Sequence, residues 1–111
     1  MTKNSYNGWY NYETWAVNLW LDSEEGSQNY WREAAKESLQ TVRAHRESGD
    51  VLTIDERAMV NLAHRLKDEH EEALPSFTGF AADLLNAAMS EVNWREIAQH
   101  LVEAAMESEA A

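Results

Sequence analysis

Histidines and carboxylates are the residues of this chain whose types could bind a metal or catalyse hydrolysis. His64 and Asp68 are four residues apart, as are Glu96 and His100, so each pair can share one face of a helix. A di-metal carboxylate site requires Glu-x-x-His on two helices, and no acid stands three residues before any of the four histidines. Among 20 carboxylates such pairs arise by chance. We therefore interpret them as surface pairs and expect no metal and no cofactor.

Other catalytic motifs are absent from the sequence. There is no Gly-x-Ser-x-Gly nucleophile elbow and no glycine-rich phosphate loop. The chain has no cysteine, which excludes thiolate zinc sites, disulfides and Cys nucleophiles. Paired carboxylates could hydrolyse a glycoside, but a domain of 111 residues has little volume for the cleft that this reaction needs. We expect that the protein is not an enzyme.

Capping residues and helix breakers predict the elements that carry these side chains. We predict helices over about residues 12–21, 28–47 and 54–73, followed by one that Ser76 caps and one that Asn93 caps. The boundary signals, in chain order, are Asn11, Ser27 or a residue just before it, Gly49, Thr53 with Glu56, Pro75, Ser76, and Asn93 with Glu96. No run shows strand-like alternation. The sequence predicts an all-α, compact single-domain bundle of about five helices over residues 1–111, with an irregular segment at 1–10 and a frayed acidic tail at 106–111.

Apolar residues at helical spacing form one stripe on each predicted helix. The first helix also carries apolar residues beside its stripe, which is typical of a central helix or of an interface. The stripes are Tyr12, Trp15, Ala16 and Leu19; Trp31, Ala35, Leu39 and Val42; Met59, Leu62, Ala63 and Leu66; Phe77, Phe80, Ala81, Leu84, Leu85 and Ala88; and Trp94, Ile97, Leu101 and Ala105.

Negative charge is concentrated in the last third of the chain. Of the net charge of −11, residues 1–67 contribute 8 − 10 = −2 and residues 68–111 contribute 1 − 10 = −9. Such acidity disfavours direct binding to nucleic acids or membranes and favours basic protein surfaces. Carboxylates one helical turn apart approach the spacing of backbone phosphates, so an acidic face could enter a nucleic-acid-binding groove; the alternative is an ordinary solvated face. The candidate residues are Asp68, Glu69, Glu71, Glu72, Glu96, Glu103 and Glu107.

Aromatic residues are concentrated at the other end of the chain, where residues 6–31 hold eight of the eleven. We interpret Trp15 and Trp31 as core residues. Trp9, Tyr10 and Trp20 are candidates for a protein interface, because tryptophan and tyrosine supply much of the binding energy at such surfaces. This region could join two copies of the chain in a homodimer.

Four segments of the sequence resemble a family of small, functionally uncharacterised proteins encoded by phages and other mobile elements. The segments are Asn7-Gly8-Trp9, Asn11-Tyr12-Glu13-Thr14-Trp15, Asn18-Leu19-Trp20-Leu21-Asp22 and Val92-Asn93-Trp94-Arg95-Glu96-Ile97-Ala98. The resemblance supplies no catalytic residues. It implies a context, since small acidic phage proteins frequently act on host restriction and CRISPR systems by occupying nucleic-acid sites.

These observations leave two main hypotheses. In the first, the chain inhibits a host nucleic-acid-handling defence system by binding a basic surface of a nuclease, CRISPR effector or restriction enzyme, as a nucleic-acid mimic. In the second, it is a structural or regulatory homo-oligomer that uses its aromatic N-terminal region. A metal-dependent enzyme using His64 and His100 is a third, weaker option. With no secretory signal and no apolar run of membrane-spanning length, we expect a location in the host cytoplasm.

Overall fold

A computed structural model describes residues 6–110, and 81 of them lie in five α-helices: α1 (Tyr12–Ser23), α2 (Glu25–Ala44), α3 (Ile54–Ala73), α4 (Gly79–Ser90) and α5 (Trp94–Ala110). The described residues contain no strand, only one isolated bridge between Tyr6 and Trp9, so the all-α prediction is confirmed. The first five residues of the predicted irregular segment, 1–5, and the last residue of the predicted tail, Ala111, lie outside the described residues. None of the described helices is both long enough and apolar enough to cross a membrane.

Three helices, α2, α3 and α5, pack against one another and form most of the core. Their predicted stripes are confirmed, since the stripe residues of α2 are all buried and those of α3 and α5 are buried or partly buried against the core. Small residues, such as Ala35, Ala58 and Ala98, are completely buried between the larger side chains. They let the helix backbones approach closely while leucine and valine side chains fill the remaining space.

The directions of these three helices follow from contacts near their ends. Tyr30 bonds Glu69, while Ser38 bonds the Ala58 carbonyl, so α2 and α3 are antiparallel. The last turns of α2 and α5 meet where Arg43 pairs with Glu109. Near the first turns of the same two helices, the Trp31 and Trp94 rings both pack on the ring of His70. The N-termini of α2 and α5 therefore lie at the same end of the bundle as the C-terminus of α3.

Helix α1 packs beside this bundle on a different face from the predicted one. Its buried residues are Thr14 and Leu21, whereas Tyr12 and Leu19 of the predicted stripe are 54% and 46% exposed. The predicted stripe contained only apolar residues and so did not include Thr14. Its hydroxyl is buried because it bonds both the Asn11 side chain and the Asn93 backbone, which removes the cost of taking it out of water.

Helix α4 also departs from the prediction. It begins at Gly79, after the N-cap residue Thr78, and not next to Ser76. None of its 12 residues is buried, and its stripe is largely solvent-exposed, with Phe80 at 80% and Leu84 at 56%. The helix links the C-terminus of α3 to the N-terminus of α5 without packing closely on the core.

The ends of α2 differ from the predicted ones. The helix begins at Glu25 rather than Gln28, and its N-cap residue is Glu24, whose side chain makes no capping bond. It ends at Ala44, and Gly49 lies beyond it in a turn with a φ of 87°. Arg46 lies beyond the end of the helix, and its guanidinium bonds the carbonyl of Leu52.

Helix α5 includes the described part of the segment predicted as a frayed tail. Helix α5 continues to Ala110, and the Arg43 guanidinium donates two hydrogen bonds, of 2.9 and 3.0 Å, to the Glu109 carboxylate. This bidentate pair fixes the last turn of α5 to the last turn of α2.

Candidate protein-binding surface

The helix directions bring together carboxylates that are distant in sequence. The C-terminus of α3 carries acids one helical turn apart, and it shares its end of the bundle with the junction of α1 and α2 and with the connection between α4 and α5. All the acids at these positions are exposed. We call this group the acidic end, and it consists of Asp22, Glu24, Glu25, Asp68, Glu71, Glu72 and Glu91.

No ion pair within residues 6–110 neutralises any carboxylate of the acidic end. Asp22 accepts one hydrogen bond from the side-chain amide of Gln28, which carries no charge. Besides Arg65, which is bonded to Glu69, two cations lie close to these acids in the sequence. Lys67 is one turn before Glu71, and Arg95 is in the first turn of α5, with its guanidinium 3.9 Å from the Met59 sulfur. The acidic end therefore keeps a clear excess of negative charge.

Two of the predicted acidic residues serve the fold instead. Glu69 accepts hydrogen bonds from Arg65 and Tyr30, at 2.9 and 2.8 Å. Partial burial opposes ionisation, but these two bonds prevail and lower the pKa of Glu69. Glu96 accepts the backbone N–H of Tyr10 at 2.9 Å, which fixes the N-terminal segment to α5.

The acids predicted to form one face of α5, Glu96, Glu103 and Glu107, are spread along the length of the helix. Glu103 and Glu107 are exposed, and Glu103 accepts a 3.1 Å hydrogen bond from Gln99. Residues 96 and 107 are separated by roughly 16 Å along the axis. Glu107 is close to the end of the bundle where Arg43 binds Glu109, so it does not belong to the acidic end.

At the opposite end of the bundle, two arginines form bidentate pairs with acids. Arg57 donates two 3.0 Å hydrogen bonds to Asp50, and these bonds, with one from the Leu52 N–H, lower the pKa of Asp50 to about 2. Arg43 is bonded to Glu109 in the same bidentate way. Arg43 and Arg57 are thus bound to acids of the same chain, whereas no carboxylate of the acidic end has such a partner within residues 6–110.

The three predicted interface aromatics have different surroundings. Trp9 is half-buried and stacks on His100 with ring centroids 4.3 Å apart, so it takes part in internal packing. Tyr10 is 40% exposed and its backbone bonds Glu96. Trp20 is 71% exposed and precedes Asp22 of the acidic end by two residues. Of the three, Trp20 is the most exposed.

The histidines do not assemble a chemical centre with these acids. Across residues 6–110, no group of three or more His, Asp or Glu side chains is arranged to hold a metal ion. His100 stacks on Trp9, and His70 lies between Trp31 and Trp94.

Residues 2–109 match a family of unknown function, DUF7249. The chain belongs to this family. No curated protein and no solved structure matches it. The function of this DUF7249 protein is therefore inferred from its own surface.

In this DUF7249 chain, sequence reasoning missed four members of the acidic end. Asp22, Glu24 and Glu25 lie in the nearly balanced first part of the sequence, and Glu91 stands alone between two helices. Their position beside the α3 acids depends on the antiparallel α2–α3 pair and the parallel α2–α5 pair. A signal existed in the short α1–α2 connection, where three acids occur within four residues.

Proposed function

We propose that the chain is a small interaction protein that binds a basic surface of a host nucleic-acid-handling protein through its acidic end. The observation that carries this proposal is the set of seven exposed carboxylates that no ion pair within residues 6–110 neutralises. A basic partner would provide the counter-charges that the chain itself lacks.

The stability of the fold does not explain these carboxylates. Asp68, Glu71 and Glu72 lie in the last two turns of α3, where the helix dipole is negative and acids are unfavourable. Clustered like charges also repel one another in the folded state. A role in binding offers a reason for a cluster that folding alone disfavours.

The charge and spacing of the acidic end suit a partner that normally binds phosphate backbones. Acids one turn apart on a helix are about 5–6 Å from each other, a spacing close to that of successive phosphates. A nuclease, CRISPR effector or restriction enzyme presents lysine and arginine side chains for such phosphates. The resemblance to small phage-encoded proteins supports an anti-defence role in which the chain occupies that nucleic-acid site.

Trp20 would supply the apolar part of the contact. Its indole is 71% exposed, and it leads directly into the α1–α2 connection with its three acids. Exposed tryptophans surrounded by polar groups are frequent hot spots, because the ring buries a large area at low entropic cost.

Affinity capture from host lysate, quantified by mass spectrometry, tests the proposal with three forms of the tagged chain. These are the wild type, an acidic-end variant (Asp68→Asn, Glu71→Gln, Glu72→Gln), and a charge-matched control (Glu47→Gln, Glu103→Gln, Glu107→Gln). Both variants raise the net charge by three units. We expect the wild type and the control to enrich the same nucleic-acid-binding protein and the acidic-end variant to lose most of it.

Two results would contradict the proposal. Equal loss in both variants would mean that net charge, and not the acidic end, attracts the partner. Equal retention in both would mean that the acidic end is not the contact. Circular dichroism of all three forms separates loss of binding from loss of folding.

A further inference from the structure

Helix α4 presents an apolar surface that the rest of the described chain does not cover. None of its residues is buried, and Phe77, Phe80 and Leu84 are 48%, 80% and 56% exposed. A lone helix of 12 residues is marginally stable in water, and helices of this length depend on packing against another element. The core of the same chain provides little of that packing. Another surface is needed to cover α4.

The charge distribution identifies what can cover it. Residues 73–90 carry one charged side chain, Asp83, in a chain whose net charge is −11. Helix α4 therefore offers little negative charge to attract a basic partner. Two copies of this anionic chain repel each other over most of their surfaces, but nearly neutral helices can meet with little repulsion.

The order of large and small residues in α4 suits a symmetric pair. If two α4 helices pack antiparallel with the two-fold axis at Leu84, each Phe80 stands opposite Ala88 of the second copy, and each Ala81 stands opposite Ala87. Phenyl rings are thus set against methyl groups, and the same patch serves both copies, as a closed two-fold interface requires. We infer that α4 is a homodimer interface in which the α4 helices of two chains pack antiparallel about Leu84.

The size of the patch indicates a reversible dimer. The exposed parts of Phe80 and Leu84 amount to roughly 270 Å² on each copy, given that a large apolar side chain buries about 200 Å². A standard interface buries about 800 Å² per partner. These two side chains supply about a third of this area, and the small side chains around them supply further contact. We expect monomer and dimer to coexist at micromolar concentrations.

Sedimentation equilibrium of the full chain tests the inference with three proteins. The wild type should shift from monomer to dimer as concentration rises, and more strongly in high salt, because salt screens the repulsion between two anionic copies. The Leu84→Asp variant should remain a monomer at every concentration. The Val51→Asp control adds the same charge at a position that is 93% exposed and outside α4, so it should dimerise like the wild type.

Cysteine cross-linking tests the proposed register, since the chain has no cysteine of its own. Leu84→Cys should form a covalent dimer under mild oxidation, whereas Val51→Cys should not. A wild type that stays monomeric throughout, or a dimer that survives Leu84→Asp, would overturn the inference. So would a dimer that Trp20→Ser abolishes, since the aromatic N-terminal region would then be the interface. The salt response separates this interface from the acidic end, whose binding salt should weaken.

Discussion

The buried hydroxyl of Thr14 accepts a hydrogen bond from the backbone N–H of Asn93 at 2.8 Å, across 79 residues of sequence. The same hydroxyl donates to the Asn11 side chain at 2.6 Å. Asn11 also caps α1 by accepting the Thr14 N–H, and its side-chain amide donates to the Glu91 carbonyl at 2.6 Å. A small polar cluster thus joins the first turn of α1 to the start of α5 and fixes the position of the aromatic N-terminal region.

Replacing Thr14 by valine should destabilise the fold by about 2 kcal/mol, because the change keeps the shape but leaves buried hydrogen-bonding groups unsatisfied. The Thr14→Ser control retains the hydroxyl and should lose much less. Urea unfolding followed by circular dichroism measures both. A Thr14→Val protein as stable as the wild type would show that the cluster contributes nothing.

His70 connects two tryptophans of the core. Its ring lies 5.4 Å from Trp31 and 5.3 Å from Trp94, and its Nδ1 is 2.7 Å from the Leu66 carbonyl. Since a carbonyl only accepts hydrogen bonds, Nδ1 carries a proton.

The His70→Ala variant should lose about 1–2 kcal/mol of stability and alter tryptophan fluorescence, because both ring contacts disappear. His64→Ala, at an exposed histidine, should change stability by less than about 0.5 kcal/mol. Thermal unfolding with fluorescence detection compares the two. Equal effects would mean that the ring contacts of His70 have no special role.

Asp50 should titrate far below the usual range of an aspartate. The Arg57 guanidinium and the Leu52 N–H lower the pKa of Asp50 to about 2 in the folded chain, against ~3.9 for an unfolded one. A depressed folded-state pKa means that this contact stabilises the fold above about pH 4 and that the stabilisation is lost as pH falls through about 2.

Carbon-13 NMR of the Asp50 carboxyl measures this midpoint directly. In the Arg57→Ala variant we expect the midpoint to rise toward ~3.9. A wild-type midpoint near 4 would show that the bidentate contact does not persist in solution.

The Arg43–Glu109 pair should act locally. Both side chains are substantially exposed, and such pairs contribute little to global stability. In the Arg43→Ala variant we expect faster amide hydrogen exchange over the last turn of α5, with an almost unchanged melting temperature. If those amides exchange at the same rate in both proteins, other contacts must order the tail.

Local signals predicted α3 well and α2 less well. Both predicted ends of α3 are confirmed, because the Thr53–Glu56 capping box and Pro75 act within a few residues. Beyond the end of α2, the Arg46 guanidinium binds the Leu52 carbonyl across a turn. Periodicity could not reveal such a contact.

The make-up of the exposed surfaces depends on tertiary structure even more than the helix ends do. The sequence predicted an apolar stripe on α4, but spacing alone does not indicate whether the core covers it. Likewise, the charge count located the acids of the last third, whereas Glu24 and Glu25 join them only because α2 runs antiparallel to α3. Helix direction, which no local pattern encodes, decides which charges are neighbours.

Salt dependence of partner binding tests the central claim most directly. Fluorescence anisotropy with the labelled chain and the protein it captures would be measured from 0.05 to about 0.2 M salt, with duplex DNA as competitor. The acidic end predicts that affinity falls at least tenfold over this range and that DNA displaces the chain, because both bind the same basic surface. An affinity independent of salt and unaffected by DNA would contradict the claim.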